Sequence, residues 1–240
     1  MTAATPLRVT ALTLAVTAAL AASLYGCSSD SNKQTSTGDA TYKAKATEIV
    51  GKLTTSEKLD LIAGPGMASM GGGSPVNLKQ DVSGVAGYIN GVKNDSYDIP
   101  ALKLADGPAG LRISSTRDGE SGTFYATAWP IGSLLASTWN QDLIQQVGKA
   151  YGNEIKEYGV DILLAPGMNI QRNPLNGRNF EYYSEDPVVT GKIGAAMVEG
   201  IESQSVGTTI KHFFGNNAET SRNQINDIGE PRTWREIYLR

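Results

Sequence analysis

Apolar side chains follow three different rhythms along this chain, and each predicts its own kind of element. Residues 9–24 form an unbroken uncharged run rich in Ala, Leu, Val and Thr, behind a single charged residue, Arg8. Such a run has the length of a secretory leader and is slightly short for a comfortable membrane span. Residues 28–41 then carry almost no apolar side chain, which predicts a flexible tether. From Tyr42 the spacing turns helical, with Ala44, Ile49, Val50 and Leu53 recurring on one face. A second helix is predicted over 56–63, opened by a Thr54/Glu57 capping box. Glycines and prolines stop it, and residues 64–98 read as a long loop that covers or shapes a site.

Beyond residue 100 the rhythm alternates between short apolar runs and helical repeats. Residues 102–106 predict a strand that ends in the turn Gly107-Pro108-Ala109-Gly110, and a second short strand is expected within 127–137. Asn140 is placed to cap a helix with apolar positions Leu143, Ile144, Val147, Ala150, Tyr151, Ile155 and Tyr158. A strand over 160–165, a loop over 166–183, a helix over 187–203 and a strand over 207–211 complete the series. Strands separated by helices of this length make βαβ units and a parallel sheet, open or closed. Polar and charged residues gather just after the strands: Asp106 and Arg112, then Arg172, Arg178 and Glu181, then Lys211 and His212, with Arg222 further on. Ligands bind at the carboxyl ends of strands in α/β folds, and a barrel turns several such ends to one mouth, so a (β/α)8 barrel is favoured over an open sheet.

Composition narrows the chemistry. Lys plus Arg is 21 against 24 acids, a formal charge of −3, so no basic face for nucleic acid is implied. Neither a phosphate loop nor a Gly-x-Gly-x-x-Gly after a strand occurs, and the single histidine disfavours a His-built metal site, so no cofactor is expected. The single cysteine, Cys27, excludes an internal disulfide. It follows Leu24-Tyr25-Gly26, a run that resembles the bacterial lipobox, in which the leader is removed before a Cys that then carries lipid. This predicts a signal peptide over 1–26, a tether over 27–41 and a domain over 42–240, lipid-anchored through Cys27 to the outer face of a bacterial membrane. An ordinary secretory signal, or an uncleaved anchor, with an incidental Cys is the alternative.

If Asp106, Arg112, Arg178, Lys211, His212 and Arg222 converge, they offer many donors around one carboxylate. Hydrogen bonds to charged groups contribute about 1.5 to 3 kcal/mol each, enough for several to orient a neutral polyol. Anion binding is the competing reading, and the carboxylate at the centre argues against a phosphate. Trp129, Trp139 and Trp234 are candidate stacking faces, although a Trp is more often core.

Three stretches carry a family resemblance: residues 104–112 (Leu-Ala-Asp-Gly-Pro-Ala-Gly-Leu-Arg), 176–187 (Asn-Gly-Arg-Asn-Phe-Glu-Tyr-Tyr-Ser-Glu-Asp-Pro) and 210–213 (Ile-Lys-His-Phe). Together they resemble the amino-terminal barrel of glycoside hydrolase family 3, β-glucosidase branch, from about Thr47 to Arg240. The resemblance implies exo-acting, retaining hydrolysis of a terminal β-linked sugar, with Asp106 accepting hydrogen bonds from sugar hydroxyls and Arg112, Arg178, Lys211, His212 and Arg222 around the same ring. Glu181 and Asp186 are read as scaffold. Retaining hydrolysis needs two carboxyl groups roughly 5 Å apart. The family's nucleophile, an Asp in a Ser-Asp-Trp-like motif, and its acid/base, a Glu from a second domain, match nothing in these residues. The chain is therefore expected to be the sugar-binding half of a longer enzyme, with a partial barrel and no catalytic residue of its own. Residues 211–217 read Lys-His-Phe-Phe-Gly-Asn-Asn and lack the second His of the branch that removes N-acetylglucosamine, so glucosidase or xylosidase specificity is favoured. A non-catalytic sugar-binding lipoprotein is the alternative from another functional class.

Overall fold

The computed structural model describes residues 36–63, 84–117 and 119–240. The chain divides into two compact units, Met1–Leu53 and Thr54–Arg240. In the first, the described part is helix α1 (Ser36–Lys52), so residues 36–41, expected to be tether, are helical. From Ala40 onward its side chains are nearly all exposed, and local contacts support it: Lys52 pairs with Glu48, and the Thr47 hydroxyl donates to the Lys43 carbonyl at 2.8 Å. The leader and Cys27 lie outside the described residues.

The second unit begins with α2 (Thr55–Ala63), where the capping box forms as expected. The Thr54 amide donates to Glu57 at 2.7 Å and the Glu57 amide donates to the Thr54 hydroxyl at 3.2 Å. Residues 64–83 of the expected loop lie outside the described residues. The remainder of that stretch is not a loop: β1 (Gly87–Ile89), β2 (Val92–Lys93) and β3 (Asp98–Ile99) occupy it. These strands are two or three residues long and depend on their partners, which local composition does not reveal. β1 pairs antiparallel with β4 (Leu102–Asp106), while Val85, Tyr88 and Val92 are buried.

Three parallel or antiparallel ladders give one sheet in the order β1-β4-β5-β6. β4 runs parallel to β5 (Ile162–Leu164), pairing Asp106 with Leu164, and β5 runs parallel to β6 (Gly207–Thr208). The parallel core is as predicted, and the antiparallel edge is not. β6 is also shorter than the strand expected over 207–211, although Lys211 still makes a single parallel bridge to Gly167.

The strand expected within 127–137 is absent, and helix α3 (Gly132–Ala136) stands in that stretch. Its backbone is engaged elsewhere. The Thr127 amide donates to the Glu154 carboxylate at 2.7 Å, the Trp129 amide to the Ala109 carbonyl at 3.0 Å, and the Trp129 indole N–H to Glu154 at 3.0 Å. Amides taken by a side chain and a loop are lost to a ladder.

The two long helices form as predicted. α4 (Gln141–Glu157) is capped by Asn140, whose side chain accepts from the Leu143 amide, and it buries Ile144, Gly148, Tyr151, Gly152 and Ile155 along one stripe. α5 (Pro187–Glu202) is capped by Asp186, which accepts from Val188 and Val189, and it buries Thr190, Ile193, Gly194, Ala196, Met197, Gly200 and Ile201. Leu143, assigned to the apolar face of α4 from sequence, is exposed, and the glycines take the contact. Ala105, Ile144, Ile155, Leu163 and Ile201 are fully enclosed where the sheet meets this pair.

Candidate functional site

Each strand end is followed by a turn whose backbone leaves little freedom, and these turns aim the charged residues. Gly107, directly after β4, has φ 149°, and a Cβ there would approach the Gly110 carbonyl oxygen within 2.0 Å. Only glycine lets the chain fold back so tightly. The Arg112 amide then donates to the Asp106 carbonyl at 2.9 Å, and the Tyr151 hydroxyl from α4 donates to the Gly107 carbonyl at 2.6 Å. Asp106 and Arg112, six positions apart, thus come to the same side of the sheet.

Beyond β6 the chain is tied to the segment after β5. The Met168 amide donates to the Lys211 carbonyl at 2.6 Å and the Lys211 amide to the Pro166 carbonyl at 3.0 Å. Peptide bonds Ala165–Pro166, Lys211–His212 and Phe213–Phe214 are cis. Buried Asn169 shapes the next turn: its carbonyl oxygen accepts from the amides of Gly215 and Asn216, and its amide donates to the Asn216 carbonyl. Asn176 donates to that same carbonyl at 2.7 Å.

Asp106, Arg112, Arg178, Lys211, His212 and Arg222 all line one open pocket of about 680 Å³, together with Leu164, Asn216, Asn223 and residues 84–86. All six residues that the sequence places around the sugar ring are there. Ligand pockets commonly fall in this size range. Asp106 is the carboxylate among the lining residues, and it is gripped from two sides: Lys211 Nζ pairs with Oδ1, and Arg112 Nη1 lies 3.1 Å from Oδ2. The Lys211 side chain is largely buried, so its bond to Asp106 is charge-assisted in a poorly solvated setting, whereas Arg112 is mostly exposed and its pairing is screened.

Arg178 pairs with Glu181, a buried carboxylate that does not line the pocket. Asp186 caps α5. Both carboxylates thus hold the frame, as read from the motif. Arg222 pairs with Glu219 at 3.2 Å. The desolvation of Glu219 is outweighed by the hydrogen bond from Asn216 and by the charges of Arg178 and Arg222, so its carboxyl titrates below the usual range. His212 is also depressed, chiefly by desolvation and then by the positive charges of Arg178 and Lys211.

Arg172 lies apart from this group, in a separate recess with Glu185 and Asp186. None of the three tryptophans lines the pocket. Trp129 packs against Tyr151, Trp234 against Phe214 and Tyr238, and Trp139 stands exposed elsewhere. Sequence reasoning missed Asn216 as a pocket residue and Tyr182 as a neighbour of His212. Their signal was slight, a polar pair after the Lys-His motif and one of two adjacent tyrosines. Among the described residues no three His, Cys, Asp or Glu side chains gather as a metal site.

A mixed α/β sheet carries charged residues that converge above the ends of its parallel strands, in a pocket chemically suited to a polar ligand. The sequence profile "Glycosyl hydrolase family 3 N terminal domain" matches residues 88–238, and the chain belongs to that family, whose N-terminal domain has a TIM-barrel-type fold of which this chain carries a part. The chain is 41% identical over 195 residues to a β-glucosidase of Ruminococcus albus, covering 80% of this chain and 19% of the relative. It is 44% identical over 160 residues to an exo-α-(1→6)-L-arabinopyranosidase of Bifidobacterium longum, covering 65% and 21%. Among solved structures, β-glucosidase 3B from Thermotoga neapolitana in complex with α-D-glucose superposes with a TM-score of 0.75 at 51% identity, covering 82% of this chain and 27% of that one. The chain thus spans about a fifth of the length of the curated relatives it matches.

Proposed function

We propose that the pocket binds the terminal non-reducing sugar of a β-glucoside, and that this chain supplies the sugar-binding part of an exo-acting, retaining β-glucosidase. The observation that carries this reading is the convergence of six side chains from four separate segments, five of them basic and one the carboxylate Asp106. An ionised carboxylate accepts from vicinal hydroxyls, and the surrounding cations donate to others, so a ring with several equatorial hydroxyls meets acceptor and donors together. The family membership and the glucose bound by the Thermotoga neapolitana relative support it.

Asp106 serves as a hydroxyl acceptor, held in place between Lys211 and Arg112. Among the described residues it is the one acid lining the pocket, and retaining hydrolysis needs two carboxyl groups about 5 Å apart. The reading therefore assigns the nucleophile and the acid/base to segments other than those described.

Calorimetric titration tests the binding step. Glucose is expected to bind and phosphate is not; the reverse order would transfer the pocket to an anion. Initial rates on aryl β-glucoside, β-xyloside and α-L-arabinopyranoside with the whole enzyme then rank the substrates, with β-glucoside expected first. The arabinopyranosidase relative is the reason for including the last.

The same proposal places the chain on a bacterial outer surface, lipid-anchored through Cys27, on the strength of Leu24-Tyr25-Gly26-Cys27 and the uncharged run before it. Metabolic labelling with a fatty-acid analogue should mark the protein, and Cys27→Ser should abolish both the label and its recovery with membranes. Labelling that survives the substitution would sink the anchor.

A further inference from the structure

A chain of hydrogen bonds runs from a carboxylate to the only histidine of this sequence. The Asn216 side-chain amide donates to Glu219 Oε1 at 2.8 Å and to the Tyr182 hydroxyl at 2.8 Å, and that hydroxyl lies 2.8 Å from His212 Nδ1. An ionised carboxylate only accepts, so the Asn216 group facing it must be the NH2. The same NH2 therefore donates to Tyr182, whose oxygen becomes the acceptor. Tyr182 is fully buried, and among the described residues His212 Nδ1 is the remaining partner of its hydroxyl. The tyrosine proton has one place to go, onto Nδ1. Neutral imidazole carries a single N–H, so it must sit on Nε2.

We infer that Tyr182 is a positioning residue that locks His212 as the Nε2–H tautomer, so that the imidazole presents a donor, and not an acceptor, to a sugar hydroxyl in the pocket. The lock itself is independent of any sugar; its use in recognition rests on the proposed function. The backbone of Asn216 is pinned by Asn169 and Asn176, which keeps the relay in register. Protonation of His212 would place a proton on Nδ1 and take away the acceptor of the Tyr182 hydroxyl. The charges facing the ring act in the same sense overall: Arg178 and Lys211 oppose the imidazolium, with Glu181 and Glu219 offsetting them in part. The pocket thereby keeps a neutral donor beside its cations. A neutral donor suits a hydroxyl and gives no added attraction for an anion.

The single histidine makes the test direct. Protein labelled with ring-15N histidine and expressed without added histidines should show, in long-range 1H–15N correlation spectra, the coupling pattern of an Nε2–H ring with a bare Nδ1. Tyr182→Phe keeps the buried ring and removes the hydroxyl; the tautomer ratio should fall about fivefold, and His212 should titrate at higher pH than in the wild type. Asn216→Ala, which leaves Tyr182 in place but frees its oxygen, should move the ratio in the same direction by less. A wild-type spectrum with the Nδ1–H pattern overturns the lock, whether or not either variant folds. So does a folded Tyr182→Phe protein with an unchanged tautomer and titration. Because the spectrum is recorded without sugar, failure of glucose to bind a protein that shows the Nε2–H pattern counts against the sugar reading and leaves the lock standing.

Discussion

Two regions of the second unit bring backbones into close approach for opposite purposes. Where α4 meets α5, Gly148, Gly152 and Gly200 let the helices touch. A Cβ on Gly200 would lie 2.4 Å from the Gln145 carbonyl oxygen, and one on Gly148 would lie 2.7 Å from that of Met197. The contact is apolar and enclosed, with Ile144, Ile155 and Ile201 wholly out of solvent. At the pocket, Gly107 and Gly110 fold one turn equally tightly, yet the side chains they set in place are charged and face open space. In the first region proximity is spent on shape, so errors there should act on stability. In the second it holds Asp106 between two cations, so errors should act on affinity.

Asp106→Ala should produce the largest separation between the two regions. It removes the acceptor for sugar hydroxyls, at a cost to glucose affinity of about 3 kcal/mol, roughly a hundredfold. A calorimetric Kd within about threefold of wild type would mean that the pocket is not organised around this carboxylate. Gly200→Ala probes the other region. Overpacking against backbone should reduce unfolding stability by about 2 kcal/mol in urea, while the folded protein keeps its glucose affinity within about twofold. An affinity loss as large as the stability loss would erase the distinction.

A subtler test uses pH. Because His212 is depressed in the folded protein, by desolvation first and then by Arg178 and Lys211, the unfolded chain takes up its proton earlier as pH falls. Stability contributed by the neutral ring is thus complete above the unfolded value of about 6.5 and declines below it until the folded group also protonates. Glu219, also depressed when folded, adds stability above the ordinary carboxylate range and gives it up as pH falls through its folded value. Urea unfolding of His212→Gln should lose the decline that begins near pH 6.5 and retain the carboxylate one; an unaltered profile would remove His212 as its source. The smallest effect is expected for Arg112→Ala. Its side chain is mostly exposed and its 3.1 Å contact with Asp106 is screened, so unfolding stability should change by less than about 1 kcal/mol.

Much of the fold was legible because its signals are local. The caps at Thr54 and Asn140 and the stripes of α4 and α5 depend on residues within a few turns of each other. Much of the site was legible too: of the eight residues named from their positions after strands, six line the pocket, while Arg172 and Glu181 do not. Reading failed where a remote partner decided the outcome. The stretch around Trp129 has strand-like composition, but Glu154 and Ala109 claim its amides. β1 lay hidden in a glycine-rich, polar region because only its ladder with β4 makes it a strand.

By itself, then, the amino-acid order determined helices α2, α4 and α5, the strands β4, β5 and β6, the family likeness and the identity of the charged residues, since each follows from spacing along the chain. Tertiary structure alone decided the antiparallel edge, the pairing of Lys211 with Asp106 across 105 positions, and the relay from Glu219 through Asn216 and Tyr182 to His212. The physical reason is the same for all three. A hydrogen bond takes its direction and its worth from the group on its far side, and here that group comes from another loop or strand.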